Sequence, residues 1–377
     1  MIKKKLLLLG NGKIGFQIDR FDIMNLKKYF QIYFFDCSEI LYKNKILPQK
    51  KKNINLKEIF IKKIIKKAEL INQINLLRPD FVIDGIQSDF TKTLKKKTKF
   101  KFKFIIWLDG LVNWNKSFFY IINFYSLKSK IKLFLNKIYK LINYTDKLYI
   151  YDIGFFAGDE SKKLIDFQNT KKIYWIGSND FYKNINKKKV KNEKKYVTYI
   201  DSNLYLGGEM QFNSMNKVPK LIDLKSHLDN TFNKIEELTN IEVKILAHPN
   251  PKLLKTYNHS DLYGNRKVYE NKTVELIKKS KLILSDYSTA INFAVLNYKP
   301  LILMYSNQLN YPQYQKMLIA NYQLLNANLF NSDEINENFK INYDVNYKKY
   351  NSFIKLFINN FNSANKYKTS KFIKEYC

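Results

Sequence analysis

The run Lys281-Leu-Ile-Leu-Ser-Asp-Tyr-Ser-Thr-Ala290, continued by Ile291-Asn-Phe-Ala-Val-Leu-Asn-Tyr-Lys-Pro300, decides how the chain is read. Residues 282–284 are a short, wholly apolar run of the kind a buried parallel strand needs. The run breaks at Ser285-Asp286-Tyr287. Ser288 and Thr289 then open an apolar helix ending near Asn297, and Pro300 precedes the next apolar run, 301–304. Strand, loop, helix and strand put two hydroxyls at a helix N-terminus, where free backbone N–H groups and the helix dipole favour a phosphate. The preceding apolar run, Val243-Lys-Ile-Leu-Ala247, ends in His248-Pro249. Two neighbouring strand ends would then present a His and a Ser-Thr pair to one crevice, the place where open α/β sheets bind ligands.

The rest of the second half follows the same alternation. Tyr196-Val-Thr-Tyr-Ile200 reads as its first strand, ending at Asp201-Ser202, with a loop through Gly207-Gly208. A helix is expected over 220–238, a short strand at 267–269 and a helix over 273–280. Residues 310–327 and 346–366 are expected to be helical. In the first half the apolar runs 6–9, 32–35, 81–83 and 104–107, with helical material between, describe a Rossmann-like domain that 148–151 and 172–176 complete. Lysine-rich residues 43–67 read as helix and exposed loop, and polar residues 180–195 as a linker. The domains are therefore placed at 1–180 and 196–345, with 346–377 a C-terminal helix crossing back to the first domain. In the segment 116–144, Ile131, Phe134, Leu135, Ile138, Leu141 and Ile142 share one helical face. Such a basic amphipathic helix either packs on the core or lies in a membrane surface.

His248-Pro249 followed by Ser285-Asp-Tyr-Ser-Thr289 resembles the C-terminal domain of bacterial GT-B transferases that use cytidine nucleotides. Bacterial sialyltransferases carry a His-Pro pair and a later Ser-Ser or Ser-Thr pair. The CDP-glycerol glycerophosphotransferases of teichoic-acid synthesis carry a similar Asp-Tyr-Ser-Ser segment that runs into an apolar helix and then Lys-Pro, as Lys299-Pro300 does here. The resemblance covers 243–305, with a weaker match in the N-terminal half. It implies an α/β, GT-B-like fold of two Rossmann-like domains facing a central cleft. It also implies an inverting transfer of a sugar of the sialic acid or Kdo kind from a CMP-activated donor to a surface glycan or lipooligosaccharide. The alternative within the same resemblance is transfer of a polyol phosphate from a CDP-glycerol-type donor.

Glycosyl transfer needs a held phosphate, charge stabilisation on the leaving nucleotide and a base for the incoming hydroxyl. Ser288 and Thr289 suit the first task, and His248 can donate a hydrogen bond to the leaving phosphate. Pro249, Asp286 and Tyr287 fall in the same nucleotide-binding stretch. For the base, the resemblance points to Asp109-Gly110: sialyltransferases carry an acidic pair before a Gly, and Leu108 stands here in place of the first acid. A turn Asp is the alternative reading, and Asp84-Gly85 is the rival candidate. Gly10, Gly12, Asp201, Gly207 and Gly208 are the candidate cleft loops. Gly10-Asn-Gly12-Lys-Ile-Gly15, with Asp36 closing the next strand run, also meets the formal dinucleotide pattern, although nothing downstream resembles a hydride-transfer site. No cofactor is expected, and His227, His248 and His259 have no zinc spacing.

Composition weighs against other classes. A hydrophobic fraction of 45% and an aromatic fraction of 16% over 377 residues argue for a globular chain. The net charge of +33 invites a nucleic-acid or membrane-surface binder. Arginine, however, stands only at Arg20, Arg78 and Arg266, and base readout and phosphate forks favour Arg over Lys. The partners expected are a nucleotide-sugar donor, CMP-sugar first, and a glycan or glycolipid acceptor, with no specific nucleic acid. Cys37 and Cys377 form no framework, and no apolar run has the length of a membrane span. The expected location is cytoplasmic, with peripheral contact at the inner membrane left open.

Overall fold

The computed structural model describes residues 3–12, 14–42, 58–110, 150–186, 196–202, 220–248, 259–306, 312–334, 339–360 and 368–377. The chain divides into two compact units, Met1–Leu111 with Tyr144–Tyr182 and Lys355–Cys377, and Val112–Asn143 with Lys183–Ile354.

The first unit is built on one parallel sheet of β1 (Lys4–Gly10), β2 (Phe30–Asp36), β3 (Ile59–Lys63), β4 (Phe81–Asp84), β5 (Lys103–Leu108), β6 (Tyr151–Phe156) and β7 (Thr170–Trp175). Their order is β3-β2-β1-β4-β5-β6-β7, so the chain reverses its direction of travel between β1 and β4. The period of two along each strand sends Leu6 and Leu8 to one face with Ile32, Phe34, Ile83 and Trp107. Leu7 and Leu9 go to the other face, where Leu70 and Ile74 of the helix Lys67–Leu77 cover them. Both faces of the central strands are buried, which is why 6–9, 32–35, 81–83 and 104–107 read as unbroken apolar runs. The helix Ser370–Tyr376 closes the first face. Its Phe372, 1% exposed, lies 5.6 Å from Phe30, 5.4 Å from Phe81 and 5.6 Å from Phe155 between ring centroids.

The second unit repeats the plan with β8 (Val197–Ile200), β9 (Val243–Leu246), β10 (Val268–Tyr269), β11 (Leu282–Ser285), β12 (Leu301–Tyr305) and β13 (Asn328–Asn331), parallel in the order β10-β9-β8-β11-β12-β13. The helix Leu221–Thr239 buries Leu224, Leu228, Thr231, Phe232 and Ile235, one stripe at helical spacing. It stops at Asn240, whose φ of 51° is left-handed.

The fold class is therefore α/β with two Rossmann-like sheets, as expected. Five elements differ from the sequence reading. In place of one helix from 346 onward, the helix Tyr347–Phe353 runs into a π-helical turn, Ile354–Ile358, Asn359 and Asn360 are non-helical, and Ser370–Tyr376 is a separate helix. β3 is a strand inside 43–67, where helix and loop were expected; it is the sheet edge, and only Ile59 of its five residues is buried, so no alternation marks it. β13 was not foreseen, being another short edge strand with one buried residue, Phe330. β6 starts at Tyr151 and continues through Gly154, later than the run 148–151 suggested. The helix Asn179–Ile185 occupies the start of the expected linker. The amphipathic segment 116–144 lies outside the described residues.

Candidate functional site

In the second unit the order of strands turns back between β8 and β11, the position at which a crevice opens at the carboxyl ends of a sheet. Ile200, the last residue of β8, pairs with Leu246 of β9 on one side and with Ser285 of β11 on the other. His248 and Ser288-Thr289 thus leave the sheet at one level, with Asp201 and Ser202 between them. They do not end neighbouring strands, as the sequence reading supposed: β8 intervenes. At about 4.8 Å per strand step, their strands lie roughly 10 Å apart, a span suited to a phosphate group with its attached ester.

Carboxylates hold this edge together. Asp201 Oδ2 accepts from the backbone N–H of His248 at 3.1 Å, fixing the start of the His-bearing loop to β8. Asp286, 4% exposed, accepts from Tyr287 N at 2.5 Å and from the Tyr199 hydroxyl at 3.2 Å, and it is also hydrogen bonded to Ser202. Burial, helped by the charge of Asp201 and opposed by these hydrogen bonds, pushes the Asp286 carboxyl up to about 6.

Ser288 accepts from Ala290 N at 3.2 Å through its Oγ, and its carbonyl accepts from Ile291 N. The helix itself runs from Ile291 to Leu296, so the hydroxyl pair sits in the turn that leads into it rather than on its first residues. Thr289 is exposed and Ser288 half-buried, which leaves both within reach of a ligand. Among the described residues, Ser285 Oγ, buried at the end of β11, has no hydrogen-bond partner. Sequence reasoning placed Asp201 only as a loop residue and passed over Tyr199. The signal available was their position at and just before the end of the first strand of the unit, but their partners come from β9 and β11 and cannot be read from spacing. Pro249, Gly207 and Gly208 lie outside the described residues.

The first-unit candidates are arranged differently. Asp109 follows β5 and is 3% exposed; its Oδ1 accepts from Arg20 Nε at 2.8 Å and its Oδ2 from Lys368 Nζ at 2.9 Å. Lys368, just before the C-terminal helix, also donates to the Arg20 carbonyl at 3.0 Å and to Asn179 Oδ1 at 3.1 Å. Burial alone raises the Asp109 carboxyl, but Lys368 and Arg20 outweigh it and hold the group below the usual carboxylate range. Both oxygens are engaged by cations, and a depressed pKa makes a poor proton acceptor. Asp84, the rival, accepts from Ile86 N, Gln87 N, Thr91 Oγ1 and the Tyr151 hydroxyl. Burial raises its pKa against those four bonds, and its geometry organises the loop after β4.

At the glycine-rich turn, a Cβ on Gly10 would stand 2.1 Å from the Phe34 ring and 2.6 Å from Gln17 Oε1. The protein's own side chains thus fill the space beside Gly10 and account for that glycine. Gly12, with φ 88°, needs glycine for its backbone. Among the described residues no group of three or more His, Cys, Asp or Glu is placed to hold a metal ion, and no helix is long and apolar enough to cross a membrane.

No protein-family model and no curated protein matches the sequence. Among solved structures the chain is similar to the wall teichoic acid polymerase TagF, with TM-score 0.52 and 11% identity over 99% of this chain and 89% of that one. It also aligns with the spinosyn forosaminyltransferase SpnP, at TM-score 0.46 and 9% identity over 93% and 88% of the two chains, and with MurG of Acinetobacter baumannii, at 0.43 and 9% over 88% and 87%. The first of these likenesses carries the fold: α/β and GT-B-like, with two Rossmann-like units.

Proposed function

We propose that the chain is a GT-B-type glycosyltransferase that takes its sugar from a cytidine-nucleotide donor, CMP-sugar first, and passes it to a surface glycan or glycolipid. The observation that carries this reading is the common register of β9 and β11 against Ile200, which brings His248 and the Ser288-Thr289 pair to one edge of one sheet. The donor phosphate rests on the two hydroxyls and the N–H groups of the turn, and His248 donates to it as CMP leaves. The acceptor hydroxyl forms the new bond to the sugar as the bond to CMP breaks, and its proton passes to solvent water. Asp109 enters this proposal as an anchor of the first unit, not as the proton acceptor.

A second reading, transfer of a polyol phosphate from a CDP-glycerol-type donor, is favoured by the Asp286-Tyr287-Ser288 wording and by the likeness in fold to a wall teichoic acid polymerase. There the attacked atom is phosphorus and CMP again leaves. Incubation with CMP-sugars and with CDP-glycerol, following CMP release, separates the two. His248→Ala is expected to lower the turnover of the accepted donor about 10- to 100-fold, the worth of a hydrogen bond to a charged group. Release of CMP from neither donor, or undiminished release by the His248 variant, contradicts the proposal.

A further inference from the structure

Asp201 and Asp286 follow register partners, Ile200 and Ser285, on adjacent strands, so two carboxyls stand side by side on the edge assigned to the donor phosphate. We propose that this pair couples donor binding to proton uptake: the anionic phosphate binds together with a proton that Asp286 takes from solvent, and release of the nucleotide returns it. The inference rests on the nucleotide site described under Proposed function and adds its regulation by pH.

The physical argument is one of like charges. Asp286 is buried, and a phosphate held two residues away at Ser288 adds a further negative charge beside two existing ones. The cheapest relief is protonation of the carboxyl that already holds its charge least well. Burial and the neighbouring Asp201 have brought Asp286 to about 6, so a modest additional anion carries it into the neutral range. Asp201 instead fixes the start of the His-bearing loop, its Oδ2 accepting from His248 N. Among the described residues the groups acting on Asp286 are Tyr199, Asp201 and Ser202 from β8 and its end and Tyr287 beside it, with His248 reaching it through Asp201. Among the described residues, none of the carboxyl's hydrogen-bond partners is a Lys or Arg that would hold it ionised.

Linkage fixes the sign. If the bound state holds more protons, affinity rises as pH falls, by at most about tenfold per pH unit for one proton. The probe is the methyl ester of CMP, a phosphodiester whose own charge is constant over this range. Calorimetric titration in buffers of different ionisation enthalpy, from about pH 6 to pH 8, counts the protons taken up by the wild-type chain, Asp286→Asn, Asp201→Asn and His248→Ala. Net uptake is expected in the wild type and in His248→Ala. It is expected to vanish in Asp286→Asn and to move to lower pH in Asp201→Asn, where the charge that raises Asp286 is gone. Binding with equal uptake in the wild type and Asp286→Asn overturns the coupling and leaves the nucleotide site standing. If Asp286→Asn does not fold, unchanged uptake in Asp201→Asn overturns it equally. Absence of binding at every pH overturns the site itself, and the coupling with it.

Discussion

Removing the Asp109 carboxylate would take away the counter-charge that Lys368 and Arg20 share, leaving Asp22 as the carboxylate still acting on Lys368, which is itself only 5% exposed. Breaking a buried ion cluster in this way costs roughly 3–5 kcal/mol, so Asp109→Ala is expected to lower the urea midpoint of the first unit substantially. A variant that melts like the wild type and only loses turnover would return Asp109 to the role of base. The acid itself was legible, because a carboxyl at the end of an apolar run is a feature of spacing. Its partners were not: Arg20 and Lys368 lie far away in sequence on either side, and only the folded sheet brings them to one point. Asp286 carries the opposite pH signature. Its pKa is raised on folding, so the folded state holds the proton more tightly, and its contribution to stability falls as pH rises from about 4 to about 6. Asp109 is depressed, so its contribution is present above the ordinary carboxylate value and is lost as pH falls below that value and through the lower folded one. Subtracting the urea stability of Asp286→Asn from that of the wild type across this window is expected to give a difference that declines with pH; a difference that grows would contradict the raised value.

At the level of elements, the C-terminal helix Ser370–Tyr376 belongs to the core of the first unit. Phe372 packs among Phe30, Phe81 and Phe155, while Lys4 donates to the Tyr376 carbonyl and Glu375 meets Lys172 and Tyr174. Phe372→Ala is expected to cost about 3–5 kcal/mol, as for other buried aromatic truncations, read as a fall in the thermal midpoint. Near-native melting would mean that the helix is an appendage. The interior strands β1, β2, β4, β5, β8, β9, β11 and β12 were legible as mainly apolar runs, because a strand covered on both faces leaves little room for polar side chains; β6, also interior, was located only in part. The edge strands β3 and β13 were not. Their residues are mostly exposed or half-exposed, and β3 reads Ile-Phe-Ile-Lys-Lys, a pattern that neither alternates nor stays apolar.

Across the whole molecule, the same order of six strands appears twice, with β7 added to the first sheet, and it reverses between β1 and β4 and again between β8 and β11. Residue types at the ends of the reversing strands separate the two. The first set is occupied by internal ion pairs and loop-organising carboxylates, the second by hydroxyls and a histidine set around a carboxyl pair. The chain carries a net charge of +33, with arginine only at Arg20, Arg78 and Arg266. Binding to RNA through such lysines would collapse between low and moderate salt, whereas recognition of a nucleotide in a built crevice would change far less. The most direct test is calorimetric titration of CMP, with UMP and GMP as controls, into the wild-type chain and the variant carrying both Ser288→Ala and Thr289→Ala. CMP is predicted to bind the wild type more tightly than either control, and the double variant to bind it about 10- to 100-fold more weakly with an unchanged melting temperature. Equal CMP affinity in the two chains would contradict the account.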